Sequence, residues 1–462
     1  MNLVPGSFVR VTTKNLGILE GVVIQRPSLL VNGFFVLKLS SGYNIGVSLK
    51  NVVKCQKLRA LSQGVFNGVF DHAQKLQREQ FPTLQNVRNG SLRLPSISIS
   101  PPVVFNPSLP NVSILSTGGT ISSRVDYVTG GVSADYSAED FLVMIPEISR
   151  VANISAKKVL SIMSENAVPD DWLLIAKKVF SELRKDYVRG VVVTTGTDTL
   201  HYTSAALSFL LRGLSKPVIV TGAQRSIDRG SSDAFLNLSC AVNAVSRGPP
   251  GVFVCLHENL DDDFCLLIHG SRVRKMHTSR RDAFRPVNSR PVARVGPLSL
   301  TILDNSSWIA DGNSKLSLQD SVDSNVALLY AYPGINPKIV SSIVKSGVKT
   351  IVIGATALGH VPVNGSSSLV KVLKGAVKSG VLVVVTSQTL YGRVNPLVYD
   401  NGRILALTLG CTFLEGITPE SAYSKAVVVG GLTKDRGERL DLLKKNFVGE
   451  FSCREIPEEF LL

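Results

Sequence analysis

From Asn111 to about residue 440 the chain alternates short, almost wholly apolar runs with stretches of helical period, and this alternation restricts the fold more than any other feature. A run such as Gly190 to Thr194 has no polar face to offer to water. It reads as a strand buried on both sides, the condition met in parallel sheets covered by helices. The candidate strands are Val112 to Ser116, Gly190 to Thr194, Pro217 to Thr221, Gly251 to Leu256, Val326 to Tyr332, Thr350 to Ile353 and Val381 to Thr386. One intervening helix is well marked. Pro169 and Asp170-Asp171 open it, with a proline suited to the first helical position and acids to the positive end of the helix dipole. Trp172, Ile175, Ala176, Val179 and Leu183 then fall on one face. A second helix is predicted to start at Thr418-Pro419-Glu420. The predicted fold class is therefore α/β, with a larger parallel-sheet domain at 111–300, a polar connection at 301–324, a smaller α/β domain at 325–440 and a tail at 441–462.

The first quarter of the chain follows a different rule. Ser7 to Thr12, Gly17 to Gln25, Gly33 to Ser40 and Tyr43 to Val53 are short strand-like runs separated by turn residues. With no helical period between them they predict a small N-terminal β-barrel within 1–80. Residues 81–110 hold Pro82, Pro95, Pro101, Pro102, Pro107 and Pro110 among serines and asparagines, the composition of a linker.

By composition 44% of the residues are hydrophobic and 18% are charged. That is enough apolar material for a core, which excludes wholesale disorder. No apolar run approaches the roughly 20 residues that cross a bilayer. The N-terminal segment also lacks a secretory pattern. A soluble, cytoplasmic protein is expected. The six cysteines, at 55, 240, 255, 265, 411 and 453, show no CxxC pair. They read as reduced thiols rather than as disulfide or zinc ligands. Net charge is +15, and residues 1–110 carry 12 basic against 3 acidic side chains. Such a surplus fits an RNA or acidic protein partner, and equally a basic surface without a partner.

Four polar segments stand where predicted strands end: Ser116-Thr117-Gly118-Gly119-Thr120, Ser164-Glu165-Asn166, Thr194-Thr195-Gly196-Thr197-Asp198 and Thr221-Gly222-Ala223-Gln224-Arg225. In an open parallel sheet, ligands bind outside the carboxyl ends of the strands, so these loops are predicted to share one pocket. Taken singly, each also reads as a tight turn or a helix cap, with Thr197 or Asp198 as the capping group. His201, three residues past Asp198, reads as structural, and His257, His269, His277 and His360 have no metal-ligand spacing.

Taken together, the TGGT turn, the aromatic loop at Tyr127, the TGTDT turn well downstream and Lys275 further on again resemble the L-asparaginase family of amidohydrolases over Val112 to Val429. Within it the chain is most similar to the branch of D subunits of archaeal-type glutamyl-tRNA(Gln) amidotransferases. The added N-terminal barrel with Lys38 to Gly46, the stretch Thr197 to Thr203, Gly222 to Ser226, Lys275 to Thr278 and Gly392 to Asn395 carry that similarity. Two positions depart from the family pattern. Ala167 stands where relatives have methionine, and Thr389 where they have cysteine.

The resemblance implies an asparaginase-like two-domain fold and an acyl-threonine intermediate, since an amide is a poor electrophile and an internal nucleophile divides one hard step into two. Thr120 would be the nucleophile, with Tyr127, Thr197, Asp198 and Lys275 as the group that activates it. Either Tyr127 or Lys275 could be the base. Ser164, Glu165, Gly119 and Gly196 would bind the amino-acid donor, glutamine or asparagine. The resemblance further implies a glutaminase subunit whose ammonia passes to a transamidase/kinase partner (the E subunit), which converts Glu-tRNA(Gln) to Gln-tRNA(Gln). ATP and Mg²⁺ would belong to that partner, because this chain has no GxxxxGK[ST] loop and binds no cofactor of its own. A homodimeric core within a heterotetramer would follow. A stand-alone L-asparaginase and a non-catalytic tRNA or assembly scaffold remain alternatives.

Overall fold

A computed structural model describes residues 7–24, 33–39, 44–58, 105–119, 121, 124–125, 132–133, 145–226, 231–304, 315–451 and 454–460. Thr120, Tyr127, Cys453 and most of the proline-rich linker lie outside the described residues. The chain divides into two compact units. One comprises Met1–Val103, Ser123–Asp135 and Arg225–Ser232, and the other comprises the rest.

In the first unit, β1 (Phe8–Thr13), β2 (Gly17–Ile24), β3 (Phe34–Leu39), β4 (Asn44–Ser48) and β5 (Val52–Lys57) form an antiparallel sheet in the order β4-β3-β2-β1-β5. The period of two puts Val9, Val11, Val23, Phe35, Leu37 and Val47 into one small core. The run Tyr43 to Val53, which reads in sequence as one strand, is two. A 3₁₀ turn at Leu49–Asn51 breaks it and redirects the chain to the opposite edge of the sheet.

The second unit is built on a larger sheet whose strands are β6 (Asn111–Gly118), β7 (Asn153–Ile162), β8 (Val188–Thr194), β9 (Pro217–Thr221), β10 (Gly251–His257) and β11 (Cys265–His269). A short hairpin of β12 (Val273–Lys275) with β13 (Phe284–Pro286) follows, and then the edge strands β14 (Ala293–Val295) and β15 (Leu300–Ile302). The sheet order is β15-β14-β11-β10-β9-β8-β6-β7. Pairing is parallel from β7 to β10 and antiparallel beyond. Helices α1 (Pro169–Leu183), α2 (Leu200–Leu210) and α3 (Ala234–Arg247) connect the parallel strands. The buried face of α1 contains Trp172, Ile175, Ala176, Val179 and Leu183, as its periodicity predicts, and the Asp171 carboxylate accepts the Val168 N–H at its start (2.9 Å).

The smaller sheet is parallel, in the order β16 (Val326–Tyr330), β17 (Thr350–Ala355), β18 (Leu382–Ser387) and β19 (Thr412–Phe413). Helices α4 (Pro337–Lys345) and α5 (Val370–Lys378) cross over between its strands, and α6 (Pro419–Leu432) and α7 (Arg436–Lys444) follow. The Thr418 hydroxyl accepts the Ser421 N–H (3.3 Å). This is the cap that Thr418-Pro419-Glu420 predicts. Alternation divides the strands cleanly. Val352 and Val384 enter the main core with α6 and α2, whereas Ile351, Ile353, Val383 and Val385 enter a second core with Val340 of α4 and Leu373 and Ala376 of α5.

Cys240, Cys255, Cys265 and Cys411 are buried free thiols and Cys55 is half-buried. No helix among the described residues is long and apolar enough to cross a membrane.

Candidate active site

The sheet order alone gathers the polar loops. Strands β7, β6, β8 and β9 are neighbours and run parallel, so their carboxyl-terminal loops emerge side by side. The chain moves from β6 outward to β7 and then back across β6 to β8, which opens a crevice at that end of the sheet, the usual ligand position in such folds.

Glycines let the loops touch. Gly118 and Gly119 have φ of 106° and 79°. Both lie in the left-handed region that side chains disfavour. A Cβ on Gly119 would lie 2.2 Å from the Gly196 nitrogen, and a Cβ on Gly196 would lie 2.8 Å from Ser164 Oγ. The TGGT, TGTDT and Ser-Glu-Asn segments are thus packed backbone to backbone. Gly222 is equally confined, with Thr195 O 2.6 Å from where its Cβ would be. Threonine hydroxyls lock the contacts. Thr117 Oγ1 donates to Thr194 O (3.0 Å), and Thr199 Oγ1 donates to Ser164 O.

At the mouth of these loops, Lys275 Nζ donates to Thr197 Oγ1 (2.9 Å) and to Asp198 Oδ1 (2.7 Å). Thr197 Oγ1 in turn donates to Gln224 Oε1 (3.3 Å). Side chains from distant stretches of the sequence therefore form one hydrogen-bonded group. The Lys275 side chain is 10% exposed and that of Asp198 65%, so the pair reaches from a desolvated interior to open solvent. Thr197 and Ser164 are buried, and Glu165 is exposed beside them. Among the residues predicted for the site, Thr197, Asp198, Lys275, Ser164, Gly119 and Gly196 are brought together, with Glu165 adjoining. Thr120, which follows Gly119, and Tyr127 lie outside the described residues.

Sequence reasoning passes over the layer behind this group. The backbone N–H of Gln224 donates to both carboxylate oxygens of Asp233 (3.1 and 3.0 Å). Asn237 Nδ2 donates to Gly222 O (2.9 Å) and to Asp233 Oδ2 (3.1 Å). Asp233 and Asn237 are fully buried, so this satisfied network fixes the loop that orients Thr197. Their spacing of four at the start of α3 is the available signal, because it places both on one helix face. Lys275 is anchored from behind as well. Its neighbour Arg274 pairs with Glu420 at the start of α6 (3.1 Å), and Tyr330 donates to the same carboxylate (2.8 Å).

His201 is buried in α2, and burial, reinforced by the Arg274 and Lys275 charges, lowers its pKa to about 3. It is neutral near pH 7 and fits the structural reading. The folded value lies below the ordinary one near 6.5, so between about pH 6.5 and 3 the unfolded chain binds the proton and the folded chain does not. Stability is expected to fall as pH falls across that window, by up to about 1.4 kcal/mol per pH unit from this group. Acid titration of His201→Leu, followed by circular dichroism, should show a correspondingly shallower slope.

Two family models match the chain beyond the linker: "Asparaginase, N-terminal" over residues 111–307 and "Glutaminase/Asparaginase C-terminal domain" over 325–442. The fold agrees. The thermostable L-asparaginase of Thermococcus kodakarensis superposes with a TM-score of 0.68 at 31% identity, covering 74% of this chain and all of that one. Fold and site therefore define an asparaginase-type amidohydrolase architecture. The N-terminal sheet is matched over residues 3–58 by the "GatD N-terminal domain". The D subunit of the glutamyl-tRNA(Gln) amidotransferase of Pyrococcus abyssi is 39% identical over 98% of this chain and 95% of its own length. That of Methanothermobacter thermautotrophicus is 41% identical over 94% and 91%. The chain belongs to the family of glutamyl-tRNA(Gln) amidotransferase D subunits.

Proposed function

We propose that this chain is the glutaminase subunit of a tRNA-dependent amidotransferase. It would release ammonia from glutamine or asparagine for the conversion of Glu-tRNA(Gln) to Gln-tRNA(Gln) on a partner subunit. The observation that carries the reading is the Lys275–Thr197–Asp198 group, held against the glycine turn that leads directly into Thr120. The hydroxyl of Thr120 attacks the side-chain amide carbon. Its proton passes to the amide nitrogen, which leaves as ammonia, and water then hydrolyses the acyl-threonine ester to release the acid. Backbone N–H groups at Gly196 and Thr197 suit the oxyanion, a contribution of about 3 kcal/mol each in comparable sites.

Lys275, donating to both Thr197 Oγ1 and Asp198 Oδ1, orients these two side chains. Tyr127 and Lys275 are both groups to test as the base. Exposed Asp198 and Glu165 suit the α-ammonium of the donor, and Ser164 its carboxylate. The partner would use ATP and Mg²⁺ and would accept ammonia by a closed route, which keeps a diffusible base from escaping.

The test measures ammonia release from both donors by this chain alone, and then with partner subunit, glutamylated tRNA(Gln) and ATP. Release is expected to be slow alone, to rise with the complex and to vanish in Thr120→Ala. Rapid asparagine hydrolysis by the isolated chain, indifferent to tRNA, would instead assign a stand-alone asparaginase. Full tRNA-dependent function in Thr120→Ala would assign a scaffold.

A further inference from the structure

The smaller domain carries a charge distribution that amide hydrolysis leaves unused. Between Asp323 and Asp400 the sequence contains no aspartate or glutamate, yet it contains Lys338, Lys345, Lys349, Lys371, Lys374, Lys378 and Arg393. These charges and the surplus of residues 1–110 together exceed the positive charge of the whole chain, so the rest of the sequence is close to neutral. The surplus here is concentrated.

The fold sorts these lysines onto one surface. Strands β16, β17 and β18 are parallel and adjacent in sequence order, so right-handed crossovers place α4 and α5 on the same face of the sheet, where they pack side by side. The other face is covered by α6 and the main core. On α4, Lys338 and Lys345 are seven positions apart, two helical turns, and so stand in one row about 10 Å long. On α5, Lys371, Lys374 and Lys378 form a second row at spacings of three and four. Lys349 lies just beyond α4. All six lysines are exposed, and none of their ammonium groups has an ion-pair or hydrogen-bond partner among the described residues.

Packed helices lie about 8–10 Å apart, so the rows stand within about one Debye length (about 10 Å at 0.1 M salt) of each other and repel. One small anion would neutralise only a part of such a face. A polyanion with regularly repeated charges neutralises it throughout and gains the release of its own counterions. A lipid surface fits poorly, because the apolar sides of both helices, Val340, Leu373 and Ala376, are already buried in the domain core.

We propose that the outer face of α4 and α5 is an RNA-binding surface that grips the phosphate backbone without reading sequence. That the RNA is a tRNA rests on the function proposed above. The surface itself does not.

The experiment measures binding of a labelled, unacylated tRNA(Gln) transcript to the full chain over a salt series. The variants are K371Q/K374Q/K378Q, K338Q/K345Q/K349Q and, as a control, K177Q/K178Q on the exposed side of α1. Glutamine matches lysine in helix propensity, so the helices are retained. Each triple variant is expected to bind at least about ten-fold more weakly at 0.1 M salt, with the slope of log K against log salt reduced by about 2 to 3, whereas the control binds as wild type. An unrelated tRNA should compete equally. Ammonia release by the chain should be unchanged in both triple variants, and binding is scored without turnover, so failure of the amidotransferase reading would leave this result readable. Absence of binding by the wild-type chain, or wild-type affinity and salt slope in both triple variants, would overturn the proposal. Unchanged RNA binding together with loss of an acidic partner protein would reassign the face to protein contact.

Discussion

Lys275→Met is expected to lower kcat for ammonia release by about 10²- to 10⁴-fold while the chain remains folded. Methionine fills the space of the lysine stem, but it removes the donor shared by Thr197 Oγ1 and Asp198 Oδ1. Without that donor the Thr197 hydroxyl keeps only its hydrogen bond to Gln224, and exposed Asp198 is free to turn into solvent. Arginine is no substitute. Its planar fork carries its charge further from the backbone, and the site that receives Nζ is nine-tenths enclosed. Thr197→Val should produce a loss of similar size, and Lys275→Met/Thr197→Val little more than either alone, because groups that act as one unit give non-additive effects. Steady-state kinetics of the three variants with both donors would check this. A Lys275→Met enzyme within ten-fold of wild type, or strict additivity of the two changes, would show that the hydrogen-bonded group is not part of the machinery.

Much of this site is legible in sequence for a physical reason. A strand buried on both faces must be apolar throughout, so the polar, glycine-bearing stretches that interrupt such runs mark strand ends, and strand ends of a parallel sheet are where ligands bind. Pro217 to Thr221 has the same bounds in the sequence pattern as in the structure, and the loop that follows carries Gln224. Strand β7 escapes the pattern because it is the edge of the sheet and carries Lys157 and Lys158, the charges by which edges avoid pairing with another chain. The short antiparallel strands β14 and β15 also give no signal. Spanning only Ala293–Val295 and Leu300–Ile302, they are defined by their partners rather than by their own pattern. The Asp233–Asn237 support is hidden for a related reason. Its hydrogen bonds run from a helix start back to the Gly222 loop, and the spacing of four between Asp233 and Asn237 marks a shared helix face without announcing that target. The lysine rows of α4 and α5 are visible in sequence as single charges, and only the crossover handedness of the domain assembles them into a face.

The second large effect is expected at the end of the chain, in the segment that reads in sequence as a tail after residue 440. Helix α7 runs on to Lys444, and the turn beyond it is docked through an ion pair between Lys425 of α6 and Glu450, both fully buried, at 2.7 Å. Lys425 Nζ also donates to Lys445 O (2.6 Å) and lies 4.3 Å from the centre of the Phe451 ring. The Glu450 carboxylate further accepts the N–H groups of Phe447 and Val448 (2.8 to 3.0 Å). Removing one partner of such a pair strands the other charge away from water. Glu450→Ala is therefore expected to destabilise the protein by about 3–5 kcal/mol, a fall in Tm of roughly 3–7 °C in a thermal melt of a chain this long. Lys425→Met/Glu450→Gln should recover most of that, since methionine sits well between aromatic rings and glutamine still offers an oxygen to the two N–H groups. Burial, outweighing the attraction of Glu450, pushes the Lys425 ammonium down to about 8. Between about pH 8 and the ordinary lysine value near 10.5 the unfolded chain holds a proton that the folded chain has lost, so the contribution of this residue to stability rises with pH across that window. The rise should disappear in the double variant. Equal melting temperatures for wild type and Glu450→Ala would mean that the buried pair does not hold the end of the chain in place.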